Sequence, residues 1–113
     1  MDFSQEEHGH IIVEVVNLQN ATLVQAADFK KILFQDIETG WRKIIIDLTE
    51  CEFVDSTFLG TLVISLKKIT TLGGDLQLVG IQPEVKTMFQ LTRMDRIFDI
   101  FETKEDALGS LMS

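Results

Sequence analysis

The residues best placed to do chemistry are Asp55, Ser56 and Thr57, which follow one another between two apolar patterns. The β-branched run at residues 44–46 precedes them and predicts a buried strand. After them comes an apolar pattern with helical spacing, formed by Leu59, Leu62, Val63, Leu66 and Ile69. Side-chain oxygens of Asp, Ser and Thr cap helices by accepting the unpaired amide N–H groups of the first turn. A serine at such a position is also open to a kinase. The sequence therefore leaves two interpretations of Ser56, a helix cap and a phosphorylated switch.

Other candidate chemistry finds little support. His8 and His10 are two residues apart, a spacing that can hold a metal on a strand, but no third ligand accompanies them. Ser56 has no histidine near it in the sequence and no Gly-x-Ser-x-Gly turn around it, which argues against a hydrolase. Cys51 has no basic neighbour to activate it, so we expect an inert thiol. The sequence predicts no enzyme, no metal site and no cofactor.

Composition narrows the class of protein. The chain has 113 residues, enough to bury a core without disulfides or metals, and a net charge of −8. That charge argues against partners that are nucleic acids or anionic lipid surfaces, because both attract Lys and Arg. Because the first residues have no basic head and no apolar core, we expect no signal peptide; no apolar run is long enough to span a membrane, and the single cysteine fits a reducing compartment. We expect a cytoplasmic domain.

Strands and helices alternate along the chain. Strands are predicted at residues 10–16, 42–48, 75–81 and 97–101, and helices at residues 23–38, 57–72, 84–91 and after Thr103. Asn20 or Thr22 is the predicted N-cap of the first helix, and Gly73-Gly74 ends the second. Such alternation predicts an α/β layer fold. We expect a single small domain over residues 1–113, with residues 1–9 forming either a mobile segment or a short extra strand.

Residues 43–108 carry a resemblance to a known family. The segment resembles the STAS domain and, within it, the bacterial anti-sigma factor antagonists. The matching motifs are Ile44-Ile45-Ile46-Asp47-Leu48, Phe53-Val54-Asp55-Ser56-Thr57 with Leu59-Gly60, Gly73-Gly74-Asp75-Leu76-Gln77-Leu78-Val79, Pro83-Glu84-Val85, Leu91-Thr92, Ile97-Phe98 and Glu105-Asp106-Ala107-Leu108. They occur in the family's order, with few gaps.

The resemblance implies a mixed sheet of four to five strands with about four helices. It implies that Ser56, or as a second candidate Thr57, is phosphorylated by a partner that is both a serine kinase and an anti-sigma factor. The unphosphorylated antagonist would bind that partner and free the sigma factor, and a metal-dependent serine phosphatase would reset the switch. The partner-binding residues implied are Asn20, Thr22, Asp55, Ser56, Thr57, Phe58 and Gly60.

Two positions depart from the family pattern. Phe58 stands where the family usually has a small residue; its ring is expected either to pack in the core or to fill part of the docking surface and alter its shape. The loop at residues 19–22 lacks the acid that the family often carries there. Gly60 is expected to allow close packing of the helix on the sheet. The acids at positions 47, 50, 52 and 55 predict an acidic face suited to a basic cleft.

A second function stays open on the sequence alone. A STAS domain can serve as a constitutive assembly subunit, either in a stressosome-type scaffold or as the cytoplasmic subunit of a lipid-transport ABC system, with no switch at Ser56. The two departures would fit that alternative. Nothing in the sequence indicates an oligomeric state.

Overall fold

A computed structural model describes residues 1–112. Its main sheet has five strands, β1 (Phe3–His8), β2 (Ile11–Val16), β4 (Lys43–Asp47), β6 (Asp75–Val79) and β7 (Asp99–Phe101). They lie in the order β1-β2-β4-β6-β7, with β1 antiparallel to β2 and every other pair parallel. Two short strands, β3 (Asn20–Ala21) and β5 (Phe53–Val54), form a separate parallel pair. The predicted mixed α/β sheet is confirmed.

Four helices cover the sheet, α1 (Leu23–Glu38), α2 (Ser56–Thr71), α3 (Pro83–Leu91) and α4 (Lys104–Met112). The apolar faces of the first three share one core with Ile44 and Ile46. On the opposite face of the sheet, Ile45 packs with Ala107 and Leu111 of α4. The three isoleucines of β4 are therefore buried on both faces, as their unbroken apolar run predicts. None of the helices within residues 1–112 is long and apolar enough to cross a membrane.

Turns shift two predicted strand boundaries. The strand expected at 97–101 begins only at Asp99, because a 3₁₀ turn (Met94–Arg96) precedes it and the Phe98 amide donates to the Met94 carbonyl at 3.1 Å. The strand expected at 75–81 ends at Val79, because Gly80 adopts φ +75° and turns the chain. A Cβ at Gly80 would collide with the Thr49 hydroxyl, so the position needs glycine on both counts.

The N-terminal residues, for which the sequence left two possibilities open, form the edge strand β1. All six of its residues pair with β2, and Gly9-His10 makes the two-residue hairpin turn. The Phe3 ring stacks on Phe29 of α1, with ring centroids 4.7 Å apart. Contact with the core thus fixes the start of the strand.

Candidate partner-docking site

The short β3–β5 pair sets the position of the candidate site. Its register places Ala21 beside Val54, and the Asp55 amide donates to the Ala21 carbonyl at 3.0 Å. Because α1 follows β3 and α2 follows β5 almost at once, the two helices begin side by side. The site is therefore built on two helix N-termini that lie next to each other.

The Asp55 carboxylate joins these two helix N-termini. Its Oδ1 accepts the Phe58 amide of α2 at 2.8 Å, and its Oδ2 accepts the Leu23 amide of α1 at 2.8 Å. Asp55 is the N-cap of α2, so the interpretation of Ser56 as the cap is wrong. On α1 the cap is Thr22, one of the two predicted candidates, in a capping box with Gln25.

Ser56 is the first residue of α2, and its side chain is exposed. Its hydroxyl makes no hydrogen bond to any residue within 1–112, since Asp55 already caps the helix. Thr57 is exposed as well. Neither hydroxyl is tied to the fold, and a modifying enzyme can reach both without unfolding the domain.

Phe58 does not belong to the docking surface. Its side chain is fully buried and stacks on Phe29, with centroids 5.2 Å apart and planes 10° apart. Phe29 stacks in turn on Phe3, so three rings fill the space between β1, α1 and α2. The expectation that the Phe58 ring is part of the docking surface is corrected, because the first turn of α2 places this side chain toward α1.

The expectation that Gly60 allows close packing of the helix on the sheet is also wrong. No atom lies within 4 Å of the place a Cβ would occupy, so this glycine does not permit a close approach of helix and sheet. It lies one turn after Ser56 and is half-buried. Packing gives no reason for glycine at this position.

The loop that leads into β5 and Ser56 is acidic. Glu50 and Glu52 are exposed on the loop before β5, while the Asp47 carboxylate turns back to accept the Thr49 amide at 2.9 Å. Glu52 accepts a hydrogen bond from the Gln19 side chain, and its amide donates to the Gln19 carbonyl at 2.8 Å. The loop at 19–22 has no acid of its own, but it lies against one supplied by the facing loop.

Comparison with known proteins decides the family. The STAS domain model matches residues 5–107. This chain belongs to the STAS domain family. A relative from Thermotoga maritima named "Putative anti-sigma factor antagonist" is 36% identical over 94 residues, which are 82% of this chain and 79% of that protein.

Solved structures agree with that assignment. The crystal structure of a Thermotoga maritima protein described in the same words has a TM-score of 0.93 at 29% identity, covering 98% of this chain and 95% of that one. The structure of the Bacillus cell fate determinant SpoIIAA in its phosphorylated form has a TM-score of 0.76 at 17% identity, covering 96% of this chain and 98% of that one. At that identity the second likeness shows the fold alone.

Three surface residues of this STAS domain were missed by sequence reasoning. Leu23, Val24 and Phe53 expose 65%, 75% and 52% of their surface; the first two begin α1, and Phe53 lies in β5, which leads into Asp55. The sequence signalled the exposure of Val24 alone, because Val24 departs from the spacing of the core positions of α1, which are Ala26, Phe29, Leu33 and Ile37, whereas Leu23 precedes Ala26 by three residues and fits that spacing. Exposed apolar side chains in one place mark candidate interaction surfaces.

The remaining reactive groups of this STAS domain lie elsewhere. Cys51 is fully buried, and burial, followed by the nearby Asp47 and Glu50 carboxylates, raises the pKa of its thiol to about 12. Such a thiol stays protonated and unreactive at neutral pH. His8 contacts Glu6 at 3.2 Å on the exposed edge strand, and residues 1–112 contain no cluster of three groups that could hold a metal.

Proposed function

We propose that this protein is an anti-sigma factor antagonist switched by phosphorylation of Ser56. Unphosphorylated, it binds an anti-sigma factor that is also a serine kinase; phosphorylated, it is released until a metal-dependent serine phosphatase removes the phosphate. One observation carries the proposal: Ser56 is exposed and free of hydrogen bonds beside a carboxylate that joins two helix N-termini. Asn20, Thr22, Asp55, Thr57 and Gly60 are proposed to border the contact.

The fold can carry a phosphate at Ser56 and remain folded. The amides of Ser56 and Thr57 have no acceptor within residues 1–112, because Asp55 takes only the Phe58 amide of this turn. A helix N-terminus stabilises a nearby anion by about 0.3–1 kcal/mol, and here two N-termini lie together. Phosphorylation would therefore leave the domain folded.

The cost of phosphorylation falls on the docked complex. A phosphate adds about −1.5 to −2 charges to a surface that already carries Glu50, Glu52 and Asp55. A partner that binds the free serine hydroxyl would have to accommodate this bulk and strip the water from the phosphate. Each loss of about 1.4 kcal/mol weakens binding tenfold, so a few kcal/mol suffices to separate the partners.

The apolar residues around Ser56 support a protein partner. Leu23, Val24 and Phe53 supply apolar contact area, and the neighbouring acids would steer a basic cleft toward it. The Thermotoga relative is named an anti-sigma factor antagonist, and SpoIIAA, which shares the fold, has been solved in a phosphorylated form. No observation favours the constitutive assembly subunit.

The test combines the protein with anti-sigma-type serine kinases from its own source, ATP and Mg²⁺, and reads the product by intact mass and site mapping. We expect one phosphate, on Ser56, and none on Ser56→Ala. Thr57→Ala is the matched control and should still receive one phosphate, on Ser56.

Binding is measured in parallel, without ATP. Ser56→Ala should bind the kinase as the wild type does, and Ser56→Asp should bind at least tenfold more weakly. Absence of phosphate with every candidate kinase, together with equal binding of wild type and Ser56→Asp, would overturn the proposal.

A further inference from the structure

Two lysines and a phenylalanine form a cationic cluster on the outer face of α1 and α2. The Lys30 ammonium lies 5.3 Å from the centre of the Phe34 ring, and the Lys68 ammonium lies 4.6 Å from the same centre. Lys30 and Phe34 belong to α1 and Lys68 to α2, so the cluster bridges the two helices that begin at Asp55. We call these three residues the lysine clamp.

Both ammonium groups of the lysine clamp are available to pair with carboxylates of a partner. Within residues 1–112 neither of its ammonium groups comes within ion-pair distance of a carboxylate. Both rest instead against the negative face of one aromatic ring, which holds them near each other. In a chain of net charge −8 with only ten basic residues, one ring here gathers two cations. The depression beside Lys30 and Phe34 is also lined by Lys31 and by one acid, Glu38.

A surface runs from Ser56 to the clamp along the groove between the helices. The Thr61 hydroxyl contacts the Ala26 carbonyl at 3.4 Å, so this face of α2 lies toward α1. Ile64, which follows Thr61 by three positions on that face, is 45% exposed, and Val24 and Ala27 are exposed on α1. From Ser56 to Lys68 the helix rises about 18 Å, at 1.5 Å per residue.

We propose that the lysine clamp is a second contact for the partner that docks at Ser56, and that it takes an acidic segment of that partner. This inference rests on the proposed function, and charge complementarity identifies the occupant. The partner would present basic groups to the Glu50 and Glu52 side of the site and carboxylates to the lysine clamp, which lies about 18 Å from Ser56 along α2. Two contacts of opposite sign fix the direction in which the partner lies across α1 and α2.

The test measures binding of the anti-sigma-type kinase, without ATP, to the double variant Lys30→Glu/Lys68→Glu. We expect an affinity about tenfold lower than that of the wild type, because two attractive contacts become repulsive. The difference in affinity between the wild type and this variant should shrink in 0.5 M salt, where the Debye length is only a few ångströms. The milder double variant Lys30→Gln/Lys68→Gln should have an affinity between that of the wild type and that of Lys30→Glu/Lys68→Glu.

Lys86→Glu/Arg96→Glu is the matched control, since it makes the same change in net charge at exposed positions away from the helix groove. It should bind within about twofold of the wild type, and circular dichroism should show all variants folded. A clamp variant that binds like this control, while Ser56→Asp loses binding, overturns the lysine clamp and leaves the Ser56 switch standing. If the wild type itself binds no such kinase, both the lysine clamp and the Ser56 switch are overturned.

Discussion

Two carboxyl groups in this protein sit in opposite surroundings, Asp55 at the surface and Glu14 in the interior. Asp55 accepts two backbone amides at 2.8 Å each. Glu14, on β2, is fully buried, and the Gln5 side chain supplies the one amide that it accepts within residues 1–112, at 2.8 Å. Its other neighbour is Asp36 of α1, itself 94% buried and a second acid.

The difference shows that the number of hydrogen-bond donors around a carboxyl group decides whether the fold favours its protonated form or uses its oxygens as acceptors. Burial, followed by the hydrogen bond and the charge of Asp36, raises the pKa of Glu14 to about 9. Burial also raises the pKa of Asp36. The pair therefore shares a proton at neutral pH, which explains why Glu14 Oε1 and Asp36 Oδ2 lack any other partner. Asp55, with two amide donors, joins the N-termini of two helices.

The largest expected effect comes from removing the interior acid. Unfolded, Glu14 would ionise near its ordinary pKa of 4.5, so between pH 4.5 and about 9 the folded domain binds the extra proton. The free energy of unfolding must then fall as the pH rises through this window, by a few kcal/mol. Glu14→Gln should remove most of this slope and be more stable than the wild type at pH 9.

Urea denaturation at several pH values from 5 to 10 checks this prediction. Glu7→Gln, on the exposed edge of β1, is the control and should keep the wild-type slope. Parallel stability curves for the wild type and Glu14→Gln across this range would mean that Glu14 is ionised in the folded state.

Removal of Asp55 should change the free energy of unfolding by less than the effect expected at Glu14. Asp55→Ala leaves the amides of Leu23 and Phe58 without their acceptor, and we expect the free energy of unfolding at pH 7 to drop by about 2–3 kcal/mol. Asp55→Asn keeps one acceptor oxygen and should lose about half as much. Equal losses in the two variants would show that the carboxylate does not bridge the helices.

Gly60→Ala should stabilise the domain, in contrast to the Asp55 variants. The site of the added methyl group is open, and alanine favours a helix interior over glycine by about 1 kcal/mol. We expect a gain of about 0.5–1 kcal/mol, measured by thermal or urea unfolding. A kinase-binding assay on the same variant then tests Gly60 as a border of the contact, because a stabilised domain with weaker binding separates the two roles. A loss of stability would mean that the methyl group is not accommodated.

The smallest expected effect distinguishes Ser56 from its neighbour. Since Asp55 caps α2 and the Ser56 hydroxyl has no partner within residues 1–112, Ser56→Ala should change the free energy of unfolding by less than about 0.5 kcal/mol. Differential scanning calorimetry of Ser56→Ala beside Asp55→Ala makes the comparison. A loss of 1 kcal/mol or more in Ser56→Ala would restore the serine to a capping role.

Periodicity accounts for most of what the sequence predicted correctly. The 16 residues of α1 repeat their apolar positions often enough to define a helix, and the isoleucines of β4 identify a strand buried on both faces. The β3–β5 pair could not be predicted, because two residues show no period. That pair is what brings Asp55 to Leu23.

The interior acid was visible in the sequence in part. Glu14 interrupts the apolar run of residues 11–16, and a lone acid inside a strand is unexpected unless it faces solvent or a partner. Its neighbour Asp36 is 22 positions further along the chain, so only the packing of α1 on the sheet reveals the pair. The burial of Phe58 has the same cause, since it depends on Phe29 in another helix.

The two edges of the sheet also govern how copies of the protein behave in a crowded solution. β1 turns its outer edge to solvent with Glu6, Glu7 and His8 exposed, and β7, at the other edge, is three residues long and begins with the exposed Asp99. Charged or very short edge strands discourage a second chain from adding its own strand to the sheet. Growth of a shared sheet, the usual start of fibrous aggregation, is thus obstructed at both ends.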